Sequence, residues 1–383
     1  MSKRQLAMVM DLNKCIGCQT CTSACKTQWT NRNGRDYMYW NNVETHPGKG
    51  YPRTWQEAGG GFDENGALRP GRIPDLDRDY GAPFEMNYLD ALNPRAGDRP
   101  PSFGERPHLA PESAPAHGPN WDEDQGAGEY PNSHYFYLPR LCNHCSNPAC
   151  VAACPRKAIY KREEDGIVLI DQSRCRGYQH CVEACPYKKI YFNPLFKRSE
   201  KCIFCFPRIE QGLPPACAQQ CVGRIRFVGY LDDTEGAVHQ LVAQWKVALP
   251  LHAEFGTQPN VYYVPPLSPP RYDAEGRPTN ERRIPDELLV SLFGPRVPEV
   301  LGILEAEREK KRRGEQSGLM DLLIAYRHEE MFRLDAAHYR KADAERAAKA
   351  ASGPRRVIPI VAAETLEERL LHRETAAGNG EAA

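Results

Sequence analysis

The chain has 383 residues, 50 of them basic and 50 acidic. A net charge of zero excludes a bulk electrostatic case for binding nucleic acid or anionic lipid. Hydrophobic residues make up 41%, beside 33 prolines and 30 glycines, so two or three small, loop-rich domains are expected, held by something other than a large aliphatic core. No apolar run approaches the roughly 18 residues of a membrane span. The opening Met1-Ser-Lys-Arg-Gln-Leu-Ala-Met-Val-Met10 lacks a signal-peptide pattern.

In chain order, residues 5–12 read as a strand entering a cysteine loop, Cys15-Ile-Gly-Cys18-Gln-Thr-Cys21-Thr-Ser-Ala-Cys25. Gly17 suits a loop whose amides must turn toward sulfur, and a helix is expected after Cys21. Residues 1–32 form the first half of a module A. Residues 33–138 form a long insertion rich in turn formers, such as His46-Pro-Gly and Gly59-Gly-Gly61, with a possible strand over Tyr37–Val43. A structureless loop of that length is unusual in a compact domain. Its interspersed Trp40, Trp55 and Trp121 point to a partner-binding surface.

Residues 139–199 form module B, entered by a strand over 133–140. Its first run is Cys142-x2-Cys145-x4-Cys150-x3-Cys154-Pro155. A hairpin follows, Ala158–Lys161 and Ile167–Asp171 about an Asp165-Gly166 turn. The second run, Cys175-x2-Tyr178-x2-Cys181-x3-Cys185-Pro186, leads to a strand over Ile190–Asn193. Residues 200–232 return to module A with Cys202-x2-Cys205-x11-Cys217-x3-Cys221 and a closing strand, Arg226–Tyr230. Residues 233–383 read as a subunit-docking tail. It has a short helix in 231–247 (Val238, Leu241, Val242, Trp245), an extended Pro-rich stretch over 258–285 and a helix near 298–313 on Val300, Leu301 and Leu304. A further stripe follows, Leu319, Leu322, Leu323 and Tyr326, before an Ala/Glu/Arg-rich end.

All fifteen cysteines fall in these four runs, unlike a scattered disulfide framework. Three thiolates in one loop and a fourth one helical turn on is the iron–sulfur spacing of bacterial ferredoxins, in which the fourth cysteine ligates the partner run's cluster. The two middle runs pair by proximity, leaving the outer two to pair. Crossed ligation then assigns Cys15, Cys18, Cys21 and Cys221 to cluster one, and Cys25, Cys202, Cys205 and Cys217 to cluster two. Cluster three takes Cys142, Cys145, Cys150 and Cys185. Cluster four has only Cys154, Cys175 and Cys181, because Tyr178 stands where a cysteine is due. Three thiolates suit a [3Fe–4S] cluster beside three [4Fe–4S] clusters, with the Tyr178 ring in the vacated corner; a phenolate-ligated cubane is the alternative. Structural zinc would waste the third thiolate of each loop. Arg174, Arg176, Lys188 and Lys189 either offset cluster charge or form a solvated basic face. His144 and His180 read as packed or hydrogen-bonding residues and not as iron ligands. No catalytic constellation is present, so the expected role is electron transfer. The fold class is α+β: two ferredoxin-like modules, a long irregular insertion and an extended helical C-terminal tail.

Four such runs with one cysteine replaced by an aromatic, in Cys175-Arg-Gly-Tyr-Gln-His-Cys181, resemble the iron–sulfur (β) subunits of the type II dimethyl sulfoxide reductase family of molybdenum enzymes. Asp11-Leu-Asn-Lys-Cys-Ile-Gly-Cys18, Tyr37-Met-Tyr-Trp-Asn-Asn-Val-Glu-Thr45, Leu141-Cys-Asn-His-Cys-Ser-Asn-Pro-Ala-Cys150 and Trp245-Lys-Val-Ala-Leu-Pro-Leu-His252 look most like the ethylbenzene and steroid C25 dehydrogenase β subunits. The resemblance covers about residues 5–265 and implies a wire. A catalytic α subunit with molybdopterin would dock near cluster one and a b-haem γ subunit near cluster four. It implies a hydrocarbon dehydrogenase or hydroxylase, with a selenate, chlorate, perchlorate or nitrate reductase or a dimethyl sulfide dehydrogenase as the alternative. It also implies a periplasmic complex exported on the α subunit's signal, the alternative being cytoplasmic. A reading of another class is a stand-alone polyferredoxin.

Overall fold

The continuous apolar run Leu6–Asp11 forms strand β1, buried along its whole length, as expected of a strand covered on both faces. It is central in a sheet ordered β8-β1-β10-β9. Here β8 is Arg226–Tyr230, β9 is Leu249–Pro250 and β10 is Val261–Val264. β8 runs antiparallel to β1, with Met8 opposite Val228. β10 runs parallel to it, with Met8 opposite Val261. The chain is thus closed on itself over more than 200 positions, by the expected strand at 226–230 and by one that the Pro-rich stretch conceals. The tail therefore begins inside module A's own sheet.

This computed structural model describes residues 4–31, 34–80, 126–342 and 344. Residues up to Ala336 form one compact unit and a second begins at Ala337. Trp121 and the end of the chain lie outside the described residues. Among the described residues four antiparallel pairs carry the rest of the strands: β2 (Asn41–His46) with β3 (Phe136–Leu141), β4 (Ile159–Lys161) with β5 (Val168–Ile170), β6 (Ile190–Asn193) with β7 (Arg198–Lys201), and β11 (Pro270–Tyr272) with β12 (Pro278–Arg282). The β4–β5 hairpin turns where the sequence placed it, with Gly166 at φ +73°. The helices Val297–Arg312 and Gly318–Ile324 match the two expected stripes. The second helix stops at left-handed Ala325, which leaves Tyr326 exposed instead of in the stripe. A helix over Asp286–Phe293 was not expected. The segment 231–247 holds only one α turn, Ala237–His239, and a π turn after it.

Among the described aromatics of the insertion, Tyr130 and Tyr135 are exposed, whereas Trp40 and Trp55 are buried; Tyr37, Tyr51, Tyr80 and Tyr191 stack on one another at 4.9–5.9 Å. A buried ion pair lies beside them. Arg140 on β3 donates through Nε to Glu44 Oε1 on β2 at 2.8 Å, and its Nη1 and Nη2 reach the carbonyls of Tyr187 and Tyr51. Its guanidinium lies 3.7 Å from the Trp55 ring centroid, while Trp55 Nε1 donates to Glu44 Oε2. Burial pushes the Glu44 carboxyl up, but Arg140, His46 and Lys189 more than offset this and hold it well below the carboxylate range. Trp55 and Tyr51 thus contact this pair, whereas Trp40 lines the space between Cys25, Cys202, Cys205 and Cys217.

Candidate metal centres

Each cysteine run repeats one backbone device. The residue before the second ligand position is left-handed in all four: Gly17 (φ +67°), His144 (+44°), Gly177 (+71°) and Phe204 (+52°). This turns the following amides inward, at a cost of roughly 1–2 kcal/mol wherever a side chain is present. Three residues after the fourth cysteine of three runs, Lys157, Lys188 and Arg224 are again left-handed. There the amides bond back to Cys154, Cys185 and Cys221. Cys25 lacks this turn, because its helix Thr20–Cys25 continues through Thr30.

The loops gather the sulfurs in groups. Cys142, Cys145, Cys150 and Cys185 line one cavity. Cys25, Cys202, Cys205 and Cys217 line another. Cys154, Cys175 and Cys181 line a third, with Tyr178 at its rim. The remaining four are Cys15, Cys18, Cys21 and Cys221, whose segments touch. A Cβ on Gly223, two residues after Cys221, would lie 2.8 Å from the Lys14 carbonyl. The charges of Cys21 and Cys221 both act on Cys15. Cys18 is exposed and accepts from Thr20 Oγ1 at 3.4 Å.

These cavities suit polynuclear clusters. Among the described residues no three His, Cys, Asp or Glu side chains converge tightly enough for one metal ion; the sulfurs ring a space instead. N–H groups already point at them. Trp29 Nε1 donates to Cys205 Sγ at 3.0 Å, Ala158 N to Cys154 Sγ at 3.3 Å, Phe204 N to Cys202 Sγ at 3.4 Å and Ser199 N to Cys175 Sγ at 3.5 Å. Burial pushes the thiols up, Cys15 and Cys181 to about 11 and Cys217 to about 12. Bare thiolates would not survive there at neutral pH. Iron is the positive charge that makes them stable.

The four groups also have an order. Apart from burial, Cys217 of set two feels Cys21 and Cys221 of set one. Cys202 of set two feels Cys142 of set three. Cys150 of set three packs in one apolar cluster with Cys181 of set four. Sets one and two, two and three, and three and four are thus neighbours. Surface residues flank the first and the last: Ile16, between Cys15 and Cys18, is 65% exposed, and Tyr178 is 58% exposed. The Tyr178 ring stands at the mouth of its cavity, edge-on to His180.

The basic residues flagged in the sequence divide. Arg174 and Arg176 are exposed, whereas Lys188 and Lys189 are buried. Lys189 binds Asn42 Oδ1 and feels Cys25 and Cys185, so it sits between sets two and three. His144 is buried, accepts from Val168 N at 3.1 Å and is kept neutral chiefly by burial; it is a packing residue. His180 is exposed and lies 3.7 Å from Glu183. Sequence reasoning missed Trp29 and Arg226, whose sulfur contacts span 176 and 205 positions. Arg226 is fully buried, with Nη2 3.3 Å from Cys21 Sγ. Burial opposes its charge, and Cys21, Cys217, Cys221 and Cys15 together reverse that penalty.

Residues 133–231 match the 4Fe-4S dicluster domain family and residues 6–27 a 4Fe-4S binding domain family. The dimethylsulfide dehydrogenase subunit beta of Rhodovulum sulfidophilum is 64% identical over 87% of this chain and 100% of its own length. The selenate reductase subunit beta of Thauera selenatis is 57% identical over 87% and 99%. The chlorate reductase subunit beta of Ideonella dechloratans is 56% identical over 87% and 99%.

Proposed function

The chain belongs to the iron–sulfur β subunits of the type II dimethyl sulfoxide reductase family of molybdenum enzymes, and on that premise we propose its cofactors, partners and substrate class. As a member it transfers electrons for a molybdopterin-containing α subunit and is not catalytic alone.

The ligands are those of the crossed scheme: Cys15, Cys18, Cys21 and Cys221; Cys25, Cys202, Cys205 and Cys217; Cys142, Cys145, Cys150 and Cys185; and Cys154, Cys175 and Cys181. The first three sets hold [4Fe–4S] clusters and the last a [3Fe–4S] cluster. The observation that supports this is the grouping of the sulfurs around separate cavities, one of them rimmed by three thiols and Tyr178. When bound, the clusters supply one-electron redox steps; the chain spaces them, donates N–H groups to their sulfurs and excludes water. The α subunit docks at the Ile16–Cys18 end and a b-haem γ subunit at the Tyr178 end, a reading supported by the exposure of both. The complex works in the periplasm, carried there with the α subunit.

The hydrocarbon reading gives way to the alternative. Short stretches around cysteines report cluster chemistry, and the substrate meets only the α subunit. Full-length relatives at 56–64% identity are named for dimethyl sulfide, selenate and chlorate. The complex therefore oxidises dimethyl sulfide or reduces a small oxyanion. The test is optical. Clusters of the purified, dithionite-reduced complex should be reoxidised by selenate, chlorate, perchlorate or nitrate, or those of the oxidised complex bleached by dimethyl sulfide. Bleaching by ethylbenzene alone would return the hydrocarbon reading. Iron analysis should give about fifteen irons per β chain, from three cubanes and one three-iron cluster.

A further inference from the structure

We infer that Arg226 is the built-in counter-ion of the first cluster and, more weakly, of the second, and that it sets their reduction potentials. The inference rests on the ligand sets proposed above. The Arg226 side chain projects from β8 with no exposed surface. Its Nη2 donates to Cys21 Sγ at 3.3 Å and to Asn41 Oδ1 at 2.8 Å, and Nη1 lies 3.7 Å from Met8 Sδ. Its Nε is buried without a partner. Among the described residues no carboxylate lies within ion-pair distance of it.

A buried guanidinium without a carboxylate is costly unless another anion stands nearby. Here the anion is thiolate sulfur on two sides. Cys15, Cys21 and Cys221 belong to set one, and Cys217 belongs to set two. The other sulfur contacts described above come from neutral groups: backbone amides, the Thr20 hydroxyl and the Trp29 indole. Those neutral dipoles reach sets one, two and four, and the buried lysines Lys189 and Lys201 lie toward sets two and three; the guanidinium acts at set one and, through Cys217, at set two. A cluster gains one negative charge on reduction. A fixed cation beside it favours the reduced form and raises the potential, since net charge and hydrogen bonds to sulfur are what tune such sites.

The experiment is EPR-monitored redox titration of the whole purified complex carrying Arg226→Met, Arg226→Lys or Asn41→Asp, with iron and sulfide assayed in each. In Arg226→Met one midpoint should fall most, a second should fall less, and two should stay. Arg226→Lys should restore most of the shift. Asn41→Asp, which neutralises the guanidinium without removing it, should lower the same midpoint. Iron-replete Arg226→Met with unchanged midpoints, or with all four shifted equally, overturns the inference. If Arg226→Met loses iron, iron-replete Asn41→Asp decides by the same criterion. Loss of iron from all sites in both variants assigns Arg226 to folding and also overturns it. A parent complex lacking iron and sulfide would sink the ligand sets instead, so the two failures are distinguishable.

Discussion

The loops Cys15–Cys21 and Cys175–Cys181 are two copies of one turn with different chemistry at one corner. Gly17 and Gly177 have φ of +67° and +71°, and the following Gln19 and Gln179 have +57° and +62°. A helix starts next in each, at Thr20 and His180. Yet the first loop presents Cys18 and the second Tyr178. The backbone does not change to accommodate the missing ligand. The number of thiolates offered to iron is set by a single side chain on a constant frame, and the tyrosine is placed at the surface instead of inside the cavity.

Exchanging the two corners should have the largest effect. In Tyr178→Cys the oxidised-state [3Fe–4S] EPR signal should vanish and the iron content rise to about sixteen per chain; in Cys18→Tyr a second such signal should appear. Persistence of the original signal in Tyr178→Cys would mean that the frame, and not the side chain, decides the cluster.

Next comes the pair that ties both loops into one body. Gln19 Nε2 bonds the Val43 carbonyl on β2, and Arg140 reaches Tyr187 just beyond the other loop. Glu44→Gln leaves Arg140 without its buried partner and should cost about 3–5 kcal/mol in chemical unfolding of the complex. Because this carboxyl is held below its ordinary value of 4.5, its contribution is complete above that pH and is lost as the pH falls beneath it. The variant should therefore lose part of the parent's acid sensitivity.

The smallest effects separate the two glycines. A Cβ at Gly177 would lie 2.3 Å from the Lys197 carbonyl, a backbone atom with nowhere to go. At Gly17 it would lie 2.5 Å from the Tyr137 ring, which can swing aside. Gly177→Ala should cost about 1–3 kcal/mol and Gly17→Ala about 1–2 kcal/mol, read as faster iron loss on mild heating. Equal losses would show that both sites pay only for the backbone conformation.

The cysteine runs and the hairpin after Cys154 were legible because their signals are local: fixed spacing, Gly17 in the first loop, an Asp-Gly turn. What was not legible is long-range. Glu44 and Arg140 stand 96 positions apart, and nothing nearby marks either as buried. Trp55 therefore reads as part of a sticky surface when it packs on an ion pair. Strand β10 sits beside a Pro-rich run and pairs in parallel with β1, a partnership that alternation cannot reveal. Composition near the cysteines says what cofactor is held. It says nothing of the substrate, and there the comparisons favour the reductase or dimethyl sulfide alternative over the hydrocarbon reading.

The second cavity draws Cys25 from the beginning of the chain and Cys202, Cys205 and Cys217 from far beyond the insertion. A cluster held there cannot be completed on a nascent polypeptide until that distant segment has left the ribosome. The maturation machinery must therefore meet a chain that already extends past Cys217, and a product cut short of that residue should fail to retain iron at this site.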